Sequence, residues 1–501
     1  MEGVEAPGHP VEAVSRAYSP LGAPKIPAVS GKRMGGGSAD NRRRKAALLL
    51  LFCLAAGALP HGLGPLARWV PGLGLAVLLG GYVGRTVLFR PAPPQSLPAG
   101  LSESFPEAGS LPAVDVVVAA RDEEAVIASL VERVLRLRWP EDRLRLWVVD
   151  DGSEDRTPQR LAELEAQHPQ LRMLRRSRDS GGGKSGALNA VLGQLQGRWM
   201  LVLDADADLP PDWLERVIPF AERGGWAAVQ VRKAESNLAH NWLTRAQAME
   251  MAFDAFIQEG RLAGGGVAEL RGNGQLLRRD AVQTVGGFNE ATITDDLDMS
   301  FRFLLAGLPI GVIWDPPVSE EAVSTLRALW RQRQRWAEGG LQRFLDYGDQ
   351  LLSGSLNWPL KRDLGAFFVL QYLLPVMAVG DLLATLLTRT PPLMGPFSLV
   401  VLGLSGFSLA NGCARGGEGP PVPPPTAGNL LLGMVYLMHW FVVIPWVMVK
   451  MALLPKSLLW QKTAHGGSGF ASAIAPFSEV ALNAAGSALD IEDDVVISPE
   501  G

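Results

Sequence analysis

Short apolar runs alternate with amphipathic stretches through the middle of the chain, from about residue 112 to about residue 345. The runs have the length of strands and are rich in Val, Leu and Trp; they are AVDVVVAA, RLWVVDDGS, LRMLRR, WMLVLDADA and WAAVQVRK. A helical stretch from Glu124 to Leu137 separates the first two. Strands that alternate with helices in this way predict an α/β domain with a parallel sheet.

Longer apolar runs lie on both sides of this region. Residues 46–64 and 69–89 are candidates for a membrane hairpin, because a spanning helix needs about 20 apolar residues. After the α/β region the candidates are 364–387, 395–412 and 429–454. A signal peptide is the alternative for the first run, but that run starts deep in the chain and a second one follows at once. The pattern predicts a multi-pass integral membrane protein.

Basic residues indicate the orientation of these spans. The cluster NRRRK before the first run favours a cytosolic N-terminus, and two crossings then return the chain to the cytosol. We therefore expect the α/β domain on the cytoplasmic side. Three further crossings would place the C-terminal tail outside, yet the segment PKSLLWQKTAHGG is basic and favours the inside. The sequence leaves open that one apolar segment is interfacial or re-entrant.

Shifts in composition divide the chain into predicted regions. They are a disordered basic tail (1–44), a transmembrane hairpin (45–90), a Pro/Ser linker (91–111), the α/β domain (112–345), a C-terminal transmembrane region (346–460) and a mostly disordered tail (461–501). The net charge of −4 gives no support to nucleic-acid binding. The two cysteines, Cys53 and Cys413, suggest neither a zinc site nor a disulfide framework.

Carboxylates follow two of the predicted strands. Asp150 and Asp151 end one of them, and ligands bind beyond the carboxyl ends of strands in open α/β sheets. The alternative there is a plain Asp-Gly turn. Asp204, Asp206 and Asp208 end another strand, where crowded negative charge favours a cation. Oxygen ligands suit Mg²⁺ or Mn²⁺, although a solvated turn is the alternative.

A glycine-rich loop, SGGGKSGALN, carries Lys184 into a predicted helix. The Walker pattern requires a glycine where Arg178 stands, so this is not a P-loop. A flexible loop that ends in a lysine can still approach a nucleotide diphosphate. A surface loop without a ligand is the alternative.

Two further motifs precede the C-terminal apolar runs. ATITDDLDMSFR places Asp295, Asp296 and Asp298 before a helix, either as N-terminal caps or as a base that deprotonates a hydroxyl. LRALWRQRQRWAEGGLQRF contains the second motif, with arginine, glutamine and tryptophan in a basic amphipathic helix. That helix either rests on lipid head groups or contributes to an active site at the membrane.

The order of these motifs resembles the processive-type branch of glycosyltransferase family 2, which includes cellulose, chitin and hyaluronan synthases. The ordered features are a strand-end Asp, a Gly/Lys loop with Ala-Leu-Asn, Asp-X-Asp, Thr-Asp-Asp and Gln-X-X-Arg-Trp. The resemblance covers residues 112–345 and the flanking membrane segments. It implies a GT-A fold, which is a Rossmann-like nucleotide-sugar-binding domain, flanked here by transmembrane helices. It also implies a nucleotide-sugar donor and a divalent cation, Mg²⁺ or Mn²⁺.

The resemblance also assigns roles to particular residues. Donor binding falls to Asp150, Asp151, Lys184, Asp204, Gln332 and Arg335; metal binding to Asp204 and Asp206; acceptor binding to Trp336 and Asp295; and catalysis to Asp296, Asp206 and Arg335. Asp296 is the expected general base, and a single displacement inverts the anomeric centre to give a β-linkage. The sequence departs from the family pattern where Arg121-Asp122-Glu123-Glu124 replaces Asn-Glu and where Asp295 replaces Glu.

The acceptor is predicted from the context of the last two motifs. TDDLDMSFR and RQRQRWAEGGLQRFLDYGD look most like cyanobacterial enzymes that transfer one glucose from UDP-glucose to diacylglycerol in the bilayer. A processive β-polysaccharide synthase and a non-catalytic module that binds nucleotide sugars remain as alternatives. On this reading Gln332, Arg335 and Trp336 face the substrates. Arg331, Arg333 and Arg343 are then expected at the surface or on lipid head groups.

Overall fold

The computed structural model describes residues 37–88, 111–353 and 356–454. Within them a seven-stranded sheet forms the centre of the α/β region, in the order β3-β2-β1-β4-β6-β5-β7. The strands are β1 (Val114–Ala120), β2 (Leu144–Asp151), β3 (Leu171–Arg176), β4 (Trp199–Leu203), β5 (Ala228–Glu235), β6 (Gln275–Arg278) and β7 (Ile310–Glu320). The strands predicted from the apolar runs are confirmed as β1 to β5.

The sheet is mixed, which corrects the prediction of a parallel sheet. β6 runs antiparallel to its neighbours β4 and β5, whereas the other strand pairs are parallel. The sequence signal for β6 is weak, because its four residues are preceded by GNG and followed by RD. The α/β class is nevertheless confirmed, and the carboxyl ends of β1, β2 and β4 lie at one edge of the sheet.

Helices connect the strands and extend beyond the sheet at both ends of the chain. In chain order they are α1 (Gly37–Ala58), α2 (Val70–Val83), α3 (Ile127–Leu135), α4 (Thr157–Gln167), α5 (Gly183–Leu192), α6 (Trp213–Arg223), α7 (Trp242–Ala263), α8 (Arg279–Thr284), α9 (Asp295–Leu305), α10 (Leu326–Leu352), α11 (Trp358–Phe368), α12 (Leu374–Thr388), α13 (Gly395–Ala414), α14 (Ala427–Leu437) and α15 (Trp440–Leu453). Helix α3 illustrates how they pack, because its apolar residues recur every three or four positions and are buried.

The central strands hold the sheet edge in place through buried apolar side chains. All residues of β1 are buried, and Val116 lies in register with Leu146 of β2 and Leu201 of β4. Burial of one such side chain stabilises the fold by roughly 1.5–3 kcal/mol. A shift in register would break these contacts. The polar residues at the strand ends are therefore placed by the core beneath them.

One glycine lets a loop approach the end of β2. Gly152 has a φ of +73°, and a Cβ there would lie 2.4 Å from the backbone of Arg178. Only glycine combines this left-handed conformation with such a close approach. The loop before α5 therefore lies directly over the end of β2, next to Asp150 and Asp151.

Apolar helices flank the α/β region on both sides. Five helical stretches of the described residues are long and apolar enough to cross a membrane, and they are Asn41–Gly62, Ala67–Leu88, Trp358–Thr388, Gly395–Ala414 and Ala427–Leu453. They coincide with the five apolar runs predicted from the sequence. Their composition supports an association with the membrane.

The predicted boundary at residue 44 falls within a described helix. Helix α1 begins at Gly37, so residues 37–44 are helical and the prediction of a disordered tail is wrong for them. The rest of that tail, the predicted linker up to residue 110, and the C-terminal tail lie outside the described residues.

Candidate active site

The lysine of the glycine-rich loop lies against the first carboxylate of the Asp-X-Asp motif. Lys184 Nζ is 2.6 Å from Asp204 Oδ1 and donates a second hydrogen bond to the Gly272 carbonyl at 3.3 Å. Burial lowers the pKa of Lys184, but Asp204, Asp295 and Asp296 outweigh burial, and the pKa is raised. Lys184 is therefore a firmly charged cation that faces three carboxylates.

The two alternate carboxylates of the Asp-X-Asp motif have different environments. The Asp204 side chain is 40% exposed, whereas Asp206 is buried and accepts a hydrogen bond from the Glu321 backbone N–H at 3.1 Å. The Asp204 N–H donates to Asn273 Oδ1 at 3.1 Å, which fixes the motif against the loop before β6. The third carboxylate, Asp208, instead pairs through its backbone with Ser319 of β7. The motif thus presents Asp204 to the open edge of the sheet.

The acidic pair at the end of β2 is buried and already paired with arginines. Asp151 lies between Arg121 and Arg176, with Arg176 Nη1 at 2.7 Å from Asp151 Oδ1. Asp150 accepts the Ser153 N–H at 3.0 Å, and its second oxygen lies 3.3 Å from Arg175 Nε. These arginines neutralise the charge at the strand end. A ligand that binds here would share the carboxylates with them.

The Thr-Asp-Asp motif occupies the start of α9. A buried oxygen of Asp295, Oδ2, has no hydrogen-bond partner among the described residues. Burial and, secondarily, the negative charge of Asp295 raise the pKa of Asp296 to about 6. Asp298 points elsewhere, because Arg302 Nε donates to it at 2.6 Å and Tyr347 OH at 2.8 Å. Asp298 is thus structural, and the first two carboxylates are the reactive candidates.

Helix α10 brings the Gln-X-X-Arg-Trp motif to these carboxylates. Burial lowers the pKa of Arg335, while the negative charges of Asp204, Asp296 and Asp295 act in the opposite direction. Gly339, one turn further along, allows the close approach, because a Cβ there would lie 2.3 Å from Thr294 Oγ1. The arginine therefore lies among the same carboxylates as Lys184.

Two cations surround the tryptophan of the motif. Arg333 Cζ lies 4.0 Å and Lys233 Nζ 5.3 Å from the centre of the Trp336 ring. Gln332 accepts a hydrogen bond from Arg333 Nη1 at 2.9 Å. A cation within about 6 Å of the ring centre is attracted to the face of the ring. Trp336 is half-buried, so part of its surface stays accessible to a ligand.

The expectation that Arg333 and Arg343 contact head groups is wrong. Arg333 is 1% exposed and donates to Glu250 of α7, and Arg343 lies 3.1 Å from the buried Glu269. Helix α10 is covered on two sides, by the α/β domain and by α15. The pattern of polar and apolar residues along α10 alone cannot show which side chains these neighbours cover. Arg331 is exposed, as predicted.

A polar group behind the Asp-X-Asp motif was not predicted. Lys233 Nζ lies 2.5 Å from Glu320 Oε1, and Asn273 Nδ2 donates to Glu320 Oε2 at 3.0 Å. Burial and the charge of Glu320 raise the pKa of the neighbouring Glu235 to about 8. The sequence shows only that polar residues end both strands, because the parallel pairing of β5 with β7 that brings them together is seen in the structure alone. These residues join Asp204 to the surroundings of Trp336.

The described residues contain no group of three or more His, Cys, Asp and Glu side chains arranged to hold a metal ion. Instead, the site combines two cations, Lys184 and Arg335, with the carboxylates Asp204, Asp295 and Asp296. This arrangement can bind an anionic leaving group and accept a proton close to it.

Known proteins are similar to this chain in sequence. Residues 112–339 match glycosyltransferase-like family 2. The β-monoglucosyldiacylglycerol synthase of Synechocystis sp. is 47% identical over 362 residues, which cover 71% of this chain and 76% of the relative. That of Trichormus variabilis is 44% identical over 365 residues, which cover 72% and 78%. A probable glucomannan 4-β-mannosyltransferase of Oryza sativa is 31% identical over 250 residues, which cover 47% and 43%.

A solved structure supports the fold alone. The mannosyltransferase PcManGT from Pyrobaculum calidifontis, in complex with GDP-Man and Mn²⁺, aligns with a TM-score of 0.51 at 19% identity. The alignment covers 81% of this chain and 99% of PcManGT. The mixed α/β domain is therefore of the GT-A type. Together with the relatives, this shows that the chain is a glycosyltransferase that belongs to family 2, in the same family as the cyanobacterial β-monoglucosyldiacylglycerol synthases.

Proposed function

We propose that the protein transfers one glucose from UDP-glucose to diacylglycerol and forms β-monoglucosyldiacylglycerol. The observation that carries the proposal is the 44–47% identity to synthases of that name, which extends over 71–72% of this chain. The match exceeds the catalytic domain and so includes membrane segments. A lipid acceptor gives a reason for a catalytic helix, α10, that lies at the membrane.

The proposed reaction is one displacement at the anomeric carbon. The acceptor hydroxyl oxygen attacks that carbon, its proton passes to Asp296, and the bond to the diphosphate oxygen breaks with its electron pair leaving on UDP. A pKa of about 6 keeps Asp296 largely ionised at neutral pH and also makes it a stronger base than an ordinary aspartate. Attack opposite the leaving group inverts the centre and gives a β-linkage.

Two cations would stabilise the leaving group. Lys184 and Arg335 both lie among Asp204, Asp295 and Asp296. A diphosphate that enters the site would compete with Asp204 for the Lys184 ammonium. Fixed positive charge at the leaving oxygens is worth more than charge in water, because it needs no reorganisation as the bond breaks.

The Asp-X-Asp carboxylates fit a divalent cation. Asp204 is partly exposed, only its Oδ1 is engaged by Lys184, and hard carboxylate oxygens suit Mg²⁺ or Mn²⁺. Asp204 and Asp206 would hold the ion, and donor phosphates would complete its ligands. When bound, the ion would neutralise charge on the diphosphate. Mg²⁺ is the ion that we propose, with Mn²⁺ as the alternative.

The acceptor would lie beside Asp295 at the start of α9 and Trp336 of α10. Asp295 Oδ2, which has no hydrogen-bond partner among the described residues, would accept a hydrogen bond from an acceptor hydroxyl, and this would relieve the cost of its burial. Trp336 would cover the sugar or the glycerol with its ring. Gln332 remains a proposed contact to the donor. Asp150 and Asp151 remain the proposed uridine site, where the uridine would share their carboxylates with the neighbouring arginines.

The catalytic domain is proposed to lie on the cytoplasmic side. The basic residues at the start of α1 favour a cytosolic N-terminus, and the hairpin then returns the chain to the cytosol. The domain would thus meet soluble UDP-glucose on one side and membrane lipid on the other.

The test is to incubate membranes that contain the protein with labelled UDP-glucose, with and without added diacylglycerol. We expect label in a lipid-soluble product that depends on diacylglycerol and is cleaved by a β-glucosidase. Membranes with Asp296→Asn provide the control for background transfer. Label confined to water-soluble or insoluble polymer would refute the lipid acceptor and favour a polysaccharide synthase.

A further inference from the structure

We infer that the last apolar segment, α14 and α15, does not cross the membrane and lies along the face of the bilayer that carries the catalytic domain. Its partner there is the acyl-chain layer of that leaflet. This inference concerns membrane topology and stands independently of the proposed glucosyl transfer.

The segment begins on the catalytic domain. The loop between α13 and α14 places Glu418 against Arg216 of α6, with N–O distances of 2.5 and 2.7 Å. In the same loop the Gly416 carbonyl accepts a hydrogen bond from Trp314 of β7 at 2.7 Å. The residues just before Ala427 are thus attached to two elements of the sheet domain.

The middle of the segment also contacts the catalytic domain. Helix α14 ends at Leu437 and α15 starts at Trp440, and the two residues between them keep helical backbone angles, so the segment continues through this junction. On either side of the junction, Tyr436 OH and Trp440 Nε1 donate to the two oxygens of Glu250 on α7, at 2.8 and 2.9 Å. A spanning helix would have its midpoint deep in hydrocarbon, about 15 Å from any soluble domain.

The second half of the segment runs alongside α10. Trp446 Nε1 donates to Gln334 Oε1 at 3.2 Å, and Lys450 Nζ lies 2.9 Å from Glu338 Oε2. From the first pair to the second, the residue number rises by four, about one helical turn, on both helices. Helices α15 and α10 therefore lie side by side and parallel there. Near the end of α15, the Ala452 carbonyl accepts a hydrogen bond from Arg43, which precedes the apolar part of α1.

Helix α10 cannot lie within hydrocarbon, and α15 follows its direction. Charged side chains occur along all of α10, namely Arg327, Arg331, Arg335, Glu338, Asp346 and Asp349. Burying such charges in a bilayer would be very costly. Since the start, middle and end of α14–α15 all contact polar groups on one side of the membrane, the segment returns to the side on which it begins.

The opposite face of the segment is apolar and exposed. Leu431 is 65%, Val435 59%, Val442 61% and Trp446 50% exposed, and they recur at helical spacing along both helices. The buried face, by contrast, carries the polar anchors Tyr436 and Trp440. A helix with one apolar face and a tryptophan at its edge is typical of the bilayer interface. Acyl chains of the bilayer would cover this exposed apolar face.

Site-directed labelling tests the topology. Single cysteines are introduced by Pro391→Cys between α12 and α13, Pro425→Cys before α14, and Leu454→Cys after α15, all at exposed positions. A membrane-impermeant maleimide is then added to sealed vesicles of either orientation. The unchanged chain, whose Cys53 and Cys413 are buried, gives the background.

We expect Leu454→Cys to react from the same side as Pro425→Cys and from the side opposite to Pro391→Cys. Reaction from the Pro391→Cys side would overturn the inference, because it requires a fifth crossing. A protease-cleavable tag fused after Gly501 provides a second measurement if Leu454→Cys is shielded by lipid. Cleavage from the Pro425→Cys side supports the inference, and cleavage from the other side refutes it.

Discussion

The ammonium of Lys184 lies 2.6 Å from the Asp204 carboxylate, so the lysine of the loop and the first carboxylate of the Asp-X-Asp motif neutralise each other. The two residues lie on different elements, so no single helix or strand brings them together. The pair forms because the loop before α5 and the end of β4 meet at one edge of the sheet. A donor diphosphate and a cation could each take one member of the pair.

This pairing predicts the effect of removing the lysine. Lys184→Met should lower kcat/KM for UDP-glucose by roughly 10²-fold or more, because a fixed charge at the leaving group is lost. Lys361→Met is the control, because the hydrogen bonds of the Lys361 ammonium to described residues go to the backbone carbonyls of Leu352 and Ser353, away from the carboxylates of the site. Initial rates of both variants in membranes give the comparison. Equal rates would show that Lys184 serves the fold alone.

The assignment of Asp296 as the base predicts a larger loss. Asp296→Asn keeps the shape of the side chain but cannot accept a proton, so transfer should fall by roughly 10²–10⁴-fold. Binding of UDP should be little changed, since Asp296 is not one of the proposed donor-binding residues. Transfer assays and UDP titration together separate chemistry from binding. A variant that keeps its rate would move the role of base to Asp295.

The pKa of Asp296 also predicts a pH dependence. The carboxylate must be ionised to accept the proton, and burial together with Asp295 raises its pKa to about 6. Protonation therefore starts at a higher pH than in an ordinary aspartate, and kcat/KM should fall as the pH drops through about 6. An unperturbed aspartate would place this acid limb near pH 4. A pH–rate profile between pH 4 and 8 distinguishes the two.

The sequence predicted those parts of the structure that depend on strand ends. A parallel strand delivers its C-terminal residue to one edge, so Asp204 could be placed without knowledge of the neighbouring strands. Which side chains of a helix are covered by neighbouring elements could not be predicted in the same way. Arg333 and Arg331 belong to one basic pattern, yet the first is buried against Glu250 and the second is exposed. Which face of α10 is covered depends on α7 and α15, which are distant in sequence.

These two arginines make a matched pair for a stability test. Arg333→Ala leaves Glu250 buried without its guanidinium partner and should destabilise the protein by roughly 3–5 kcal/mol. Arg331→Ala removes an exposed side chain and should change the stability by about 0.5 kcal/mol at most. Thermal unfolding of the detergent-solubilised variants measures the difference. Equal shifts would mean that the buried ion pair does not hold α10 to α7.

Two glycines of α10 test whether its close approach to α9 positions the catalytic carboxylates. A Cβ at Gly339 would lie 2.3 Å from Thr294 Oγ1, next to Asp295, whereas a Cβ at Gly348 would meet no atom of the described residues within 4 Å. Gly348→Ala should therefore stabilise the helix by roughly 0.5–1 kcal/mol and leave transfer unchanged.

Gly339→Ala should push α9 away from α10 and separate Asp296 from Arg335. We expect kcat to fall by at least about 10²-fold, because misplacement of reacting groups by about 1 Å has that effect. Far-ultraviolet circular dichroism should still report a folded protein. Normal turnover in a folded Gly339→Ala variant would show that the spacing of α9 and α10 does not set the catalytic geometry.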